Sequence, residues 1–176
     1  PHPVECLELV HDRCVVELRG DHDQAALTQE RGSFIDQVWQ TIEWSAERLA
    51  DDPRGLGLFK RWRDDQLGFS SAGISFCHGS PRRTDEASYP GDVARDPRKL
   101  RAIFAEVDKV CFVGHTHRPG ILRADPLECL EVDAISGYYH YRKGQKIIAN
   151  VGSVGKTRDG DPLATYVEIK KHELIW

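Results

Sequence analysis

Apolar positions along the chain follow two regimes. Up to about residue 107, stripes at helical spacing alternate with short apolar runs. From Gly120 onward, short runs succeed one another with turn residues between them. In the first regime, Val4, Leu7 and Leu9-Val10 fall near one face behind a proline, which predicts a short helix over Pro3–His11. Phe34, Ile35, Val38, Ile42, Ala46 and Leu49 form the clearest stripe. It predicts a helix over Ser33–Ala50, with Ser33 as its cap and Pro53 and Gly55 as its stop. A further short helix is expected over Leu56–Asp64, and another from Asp96 to about Val107, with Asp96 as cap and Pro97 in the first turn. Trp39, Trp44 and Trp62 lie in these helical stretches and are expected to pack. The runs Cys14–Leu18, Gln66–Ser70, Gly73–Cys77 and Val110–Val113 are expected to be strands. The polar, proline-punctuated stretch Gly79–Pro90 is expected to be a long loop.

The second regime holds six expected strands: Gly120–Arg123, Glu128–Val132, Gly137–Arg142, Lys146–Ala149, Ala164–Ile169 and Glu173–Trp176. Their short, turn-separated spacing predicts mostly antiparallel pairing. A glycine-rich turn, Asn150–Gly155, follows the fourth. Together the two regimes predict an α/β chain with two packed β-sheets and helices outside, a single domain over residues 1–176.

Composition narrows the function. The chain has 176 residues and a net charge of −4, with no dense Lys/Arg block. A basic nucleic-acid-binding surface is therefore not expected. No apolar stretch reaches the length of a membrane span. The five cysteines, Cys6, Cys14, Cys77, Cys111 and Cys129, are odd in number and widely spaced, without a C-x-x-C pair. They are expected to be reduced thiols in a cytoplasmic protein, with cysteinyl zinc binding a poor second. The chain starts at Pro1 and holds no methionine. A longer parent chain is expected.

Three apolar runs end in candidate ligands. Cys14–Leu18 precedes Gly20-Asp21-His22-Asp23, Gly73–Cys77 precedes His78-Gly79, and Val110–Val113 precedes Gly114-His115-Thr116-His117. Carboxylate and imidazole at several strand ends suit a borderline divalent metal such as zinc, iron, manganese or nickel, and not calcium. Each glycine lets backbone approach the site closely.

The order G-D-H-D, H-G-S-P, G-H-T-H, followed by Asn150-Val151-Gly152-Ser153-Val154-Gly155 and Arg158-Asp159-Gly160-Asp161-Pro162, resembles the calcineurin-like metallophosphoesterases. The small bacterial branch of phosphodiesterase-like and diadenosine tetraphosphatase-like enzymes is the most similar. The resemblance runs over essentially the whole chain. It implies a four-layer α-β-β-α sandwich and hydrolysis of a small phosphorylated substrate, a phosphate mono- or diester, by hydroxide activated between two divalent transition metals (Mn, Fe, Zn or Ni). In that family Asp21 stands at the position of an asparagine ligand of the second metal, and His78 and His115 match that metal's histidines. His117 matches a ligand of the first metal. His22 matches the histidine that meets the substrate phosphate or leaving oxygen, with Asp23 orienting its ring.

Two departures stand out. Asp21 adds a negative charge where the family has a neutral amide. The family's opening D-x-H and G-D motifs and the strands that carry them are absent, so an N-terminally truncated domain is expected, weak or inactive by itself. Arg82, Arg83, Arg118 and Arg158 neighbour the motifs and either contact substrate phosphate or are solvated charges. Asn150 and Ser153 either line the site or serve a local turn. His2, His11, His140 and His172 match no motif. The rival to an enzyme is a non-catalytic metal-binding or scaffold protein on the same fold. Oligomeric state is not readable from these patterns.

Overall fold

A computed structural model describes residues 2–61, 68–89, 91–133 and 136–176. The chain divides into two compact units, Pro1–Leu67 and Gly68–Trp176. The first unit is helical. It contains α1 (Pro3–Arg13), α2 (Asp21–Thr28), α3 (Asp36–Asp51) and α4 (Pro53–Arg61). Val4, Ala25, Ala26, Ile42 and Leu49 are its buried core, flanked by Leu7, Val38, Trp39 and Ala46. The stripe expected on α3 is thus the face that packs. Trp44 lies on the outer side, 38% exposed, with the Arg48 guanidinium 5.5 Å from its ring centre.

Three expectations for this unit are corrected. Cys14–Leu18 forms no strand: Val15 is fully exposed and Val16 is 42% exposed. β-Branched residues favour a strand only where a neighbouring strand offers a surface to pack on, and none of the described strands pairs with this run. Second, α3 begins at Asp36 with Ile35 in the cap position, not at Ser33. The Arg31 side chain donates to the Phe34 carbonyl and pairs with Asp36, which holds the intervening residues out of the helix. Third, the stretch after Gly20 is a helix, α2. The end of the helix expected at Asp64, Trp62 and Gln66–Leu67 lie outside the described residues.

The second unit is the layered α/β body. Its elements are β1 (Gly68–Ser71), β2 (Ile74–Cys77), α5 (Asp92–Arg95), α6 (Pro97–Ala105), β3 (Val110–Val113), β4 (Gly120–Arg123), β5 (Glu128–Glu131), β6 (Tyr138–His140), β7 (Ile147–Asn150), β8 (Glu168–Lys170) and β9 (Glu173–Ile175). Six strands form a mixed sheet in the order β1-β2-β3-β7-β4-β5, and three form an antiparallel sheet in the order β6-β9-β8. The centre, β2-β3-β7, is parallel, so these three strands run out at the same edge. From Gly120 onward the pairing is mostly antiparallel, as expected: β4–β5, β4–β7, β6–β9 and β8–β9 are antiparallel, and β7 also pairs in parallel with β3.

Alternation along the central strands builds two cores. Cys111, Val113 and Ile148 face Leu100, Ile103 and Phe104 of α6. Val110, Phe112, Ile147 and Ala149 face the small sheet through Tyr139 and Leu174. Strands covered on both faces read as continuous apolar runs, which is why β3 was legible as a buried strand. Asp96 caps α6 as expected, accepting the Lys99 N–H at 3.0 Å. The strand expected over Ala164–Ile169 shrinks to Glu168–Lys170. Thr165 is instead tied by its backbone and hydroxyl to Ser153.

Candidate metal centre

The shared edge of β2, β3 and β7 delivers the chemistry of the second unit. His78 follows β2 directly, and Gly114 and His115 follow β3. The Gly114 N–H donates to the His78 carbonyl at 2.9 Å, which fastens the two strand exits together. His78 Nε2 and His115 Nδ1 then lie 3.2 Å apart, with the rings edge to face. One ring presents an N–H to the other's lone pair. The same spacing suits a shared cation: two nitrogens at the usual ~2.0–2.1 Å from one ion and this far apart would subtend roughly 100° at it, a normal angle for neighbouring ligands. The donor set fits a borderline divalent metal.

His117 sits one turn further along the loop. Its Nδ1–H donates to the Lys156 carbonyl, and its own carbonyl accepts the Arg158 N–H at 3.1 Å. Because a carbonyl only accepts, Nδ1 carries the proton, and the lone pair of the neutral ring is on Nε2. Burial pushes the His117 pKa below its ordinary value. The Lys156 hydrogen bond opposes that shift, and the charges of Arg158, His78 and His115 add to it. A neutral ring is the form that ligates a metal.

His115 and His117 both have φ of 60°, the left-handed region that non-glycine residues seldom occupy. Buried Thr116 lies between them. Asn150, the last residue of β7, reaches across: its Nδ2 donates to the Gly114 carbonyl at 2.7 Å and to Thr116 Oγ1 at 2.8 Å. Its Oδ1 accepts the Gly152 N–H at 3.0 Å. Asn150 was expected to face substrate or to serve a turn. The amide is buried and engaged at both ends by the two loops.

Ser80 is a buried residue that sequence reasoning passed over. Its hydroxyl accepts the N–H groups of Arg82 and Arg83 and donates to Glu86, which shapes the loop after His78. Its place in H-G-S-P was the available signal. Gly79 is required there: a Cβ would overlap the Thr84 carbonyl oxygen and lie 2.9 Å from that of Arg83. Arg82 Nε is 3.7 Å from Glu86, and Arg83 pairs with Asp85. Arg118 and Arg158 are exposed.

In the first unit, Gly20-Asp21-His22-Asp23 is the start of α2. The Asp23 carboxylate accepts the Gly20 N–H at 2.8 Å, the acidic half of a capping box. An acid three residues after a glycine cap was the signal for this helix. Asp21 and Asp23 lie in its first turn, where the helix dipole favours negative charge. His22 is exposed and its ring meets Phe34 edge-on at 5.1 Å. His22 and Asp23 line an apolar groove of about 280 Å³ with Cys6, Leu7, Val10 and Ile42.

No family model matches the chain. An uncharacterized protein of Methanocaldococcus jannaschii is 24% identical over 167 residues, 94% of this chain. The chain spans 64% of that relative's length. Among solved structures, a metallophosphoesterase from Sphaerobacter thermophilus superposes with a TM-score of 0.72 at 25% identity, covering 97% of this chain and 69% of that one. A hypothetical protein from Pyrococcus horikoshii superposes with a TM-score of 0.66 at 17% identity, covering 99% and 68%. The mixed six-stranded sheet, second sheet and flanking helices are thus a metallophosphoesterase fold. The ordered ligand motifs lie on that fold, in line with the resemblance to the calcineurin-like metallophosphoesterases.

Proposed function

We propose that the full-length protein is a metal-dependent phosphoric ester hydrolase acting on a small phosphorylated substrate, a phosphate mono- or diester. The observation that carries this is the convergence of His78 Nε2 and His115 Nδ1 at two adjacent parallel strand exits. In the proposal, His78 and His115 hold one divalent transition metal (Mn, Fe, Zn or Ni), for which the resemblance implies Asp21 as a further ligand, and His117 Nε2 contributes to a second. Bound cations there supply positive charge for the phosphoryl oxygens and an acidified water. His22 serves the leaving oxygen, as the resemblance implies, and Asp23 orients it while holding the N-terminus of α2. Arg118, which follows His117, and Arg158, whose backbone N–H meets the His117 carbonyl, are the exposed arginines assigned to an anionic substrate. Arg82 has Glu86 as a competitor. The assignment includes a reducing, cytoplasmic setting, supported by the free thiols of all five cysteines. No helix among the described residues is long and apolar enough to cross a membrane.

A second reading has one specific motive. Asp21 places a carboxylate where the family has an amide, which strengthens cation binding and weakens phosphate attraction. That combination suits a metal-holding scaffold. Two measurements separate the readings. Full-length protein with manganese should hydrolyse p-nitrophenyl phosphate or its bis ester, and elemental analysis should find two ions per chain. Hydrolysis no faster than by His117→Ala, with metal bound, would favour the scaffold.

A further inference from the structure

The histidine loop holds a shape that its own residues resist. Gly114 to Pro119 leaves β3 and returns as β4, and two non-glycine residues in it, His115 and His117, are left-handed. Such a loop reverts to ordinary backbone unless something outside it enforces the shape. Asn150 has the position for that work. It pairs in register with Val113 on one side and with Gly120 on the other, so it lies between the two feet of the loop. Its side chain is 7% exposed and fully committed: one amide hydrogen on Gly114 O, the other on Thr116 Oγ1, and the oxygen on Gly152 N–H. Thr116 Oγ1 also accepts the Arg118 N–H at 3.2 Å, so the hydroxyl passes the brace on to the residue after His117. The turn that follows Asn150 completes the grip. Lys156 takes the His117 Nδ1–H, and Arg158 takes the His117 carbonyl.

The geometry points to Asn150, acting with Thr116, as the positioning residue that sets the orientation of His115 and His117 and hence the affinity of the centre, without touching metal or substrate. The inference rests on the proposed metal reading of those histidines. Of the two expectations for Asn150 it takes up the local turn, and adds the histidine loop to what the amide holds. The position needs two donors on one short side chain plus an acceptor. Aspartate has the shape and lacks the donors, and would set a carboxylate against the Gly114 carbonyl. Glutamine adds a methylene to a buried site.

The test compares wild type, Asn150→Asp, Thr116→Val and Thr116→Ser with Ile121→Val, a core change in the same sheet outside the loops. Two readouts are taken on each full-length protein: cobalt(II) affinity and visible spectrum, and histidine 15N shifts of the metal-free form. Asn150→Asp and Thr116→Val should weaken cobalt binding about 10- to 100-fold, as expected for lost outer hydrogen bonds, and alter the d–d band. They should also move the His115 and His117 resonances. Thr116→Ser, which keeps the acceptor, should restore both, and Ile121→Val should change neither. Unmoved histidine shifts in Asn150→Asp would overturn the brace. Moved shifts with unchanged cobalt affinity would overturn its link to the metal. Failure of wild type to bind cobalt would instead overturn the metal reading, while the metal-free spectra still decide the brace.

Discussion

Replacing Gly152 by alanine tests how rigidly the second loop is seated. Gly152 has φ of +81°, and an added Cβ would land on Thr165 Oγ1, 2.9 Å from Thr165 Cβ and 3.3 Å from Pro119 Cβ. Left-handed backbone costs an alanine about 1–2 kcal/mol. Overpacking against a β-branched side chain with little rotamer freedom adds about 1–3 kcal/mol. Alanine returns about 0.4–1 kcal/mol by stiffening the unfolded chain. The net loss is about 1–4.6 kcal/mol. Gly144 is the control, with φ of +84° and nothing within 4 Å of its added Cβ. Gly144→Ala carries the backbone cost alone, about 0–1.6 kcal/mol after the same offset. Urea unfolding followed by 19F NMR of 5-fluorotryptophan protein suits the measurement. The Trp176 indole N–H donates to the Asn150 carbonyl at 3.0 Å, so its resonance reports on β7. Gly152→Ala should lose clearly more stability than Gly144→Ala, and Thr165→Ala should recover part of the difference. Equal losses would refute the claim that Thr165 sets the seat of the turn.

Three further outcomes follow from the same geometry. Gly79→Ala meets backbone oxygens that cannot rotate away, so it should displace the Ser80–Glu86 loop and lower stability by about 1–3 kcal/mol; a crystal structure with that loop unmoved would contradict it. Asp23→Asn keeps an oxygen for the Gly20 N–H and should cost α2 little, whereas Asp23→Ala should cost about 1 kcal/mol. Both should lower hydrolysis, and equal thermal stability of the pair would count against the capping role. Ile148→Ala, in the core beneath α6, should cost about 2–5 kcal/mol in urea, against under about 0.5 kcal/mol for the exposed Val15→Ala.

The central strands and α6 were legible because their signals are local and strong. Val110–Val113 is apolar on both faces, and Asp96-Pro97 marks a helix start with its own side chain. His78 and Gly114-His115 were legible at strand exits, whereas Gly20-Asp21-His22-Asp23, expected at a third, opens a helix. The parallel pairing of β2, β3 and β7 was not legible, because partner choice depends on crossovers rather than on residue pattern. Cys14–Leu18 has strand composition, but composition cannot supply a neighbour. Ser33 has the chemistry of a cap and lost to Arg31, which reaches past it to Phe34 and Asp36. For Asn150 the pattern indicates the local turn, which the Gly152 N–H contact bears out; the reach of its Nδ2 to Gly114 and Thr116 spans 36 and 34 residues and leaves no local signal.

The connectivity around Asn150 also orders events in time. The Gly114 carbonyl and the amide that restrains it are 36 residues apart in sequence. On a ribosome moving at about 5–20 residues per second, the histidine loop emerges roughly 2–7 seconds before its brace. Strand β7 must then insert between β3 and β4, which until that moment have no ladder partner in common. The histidines therefore acquire their fixed orientation only when β7 docks.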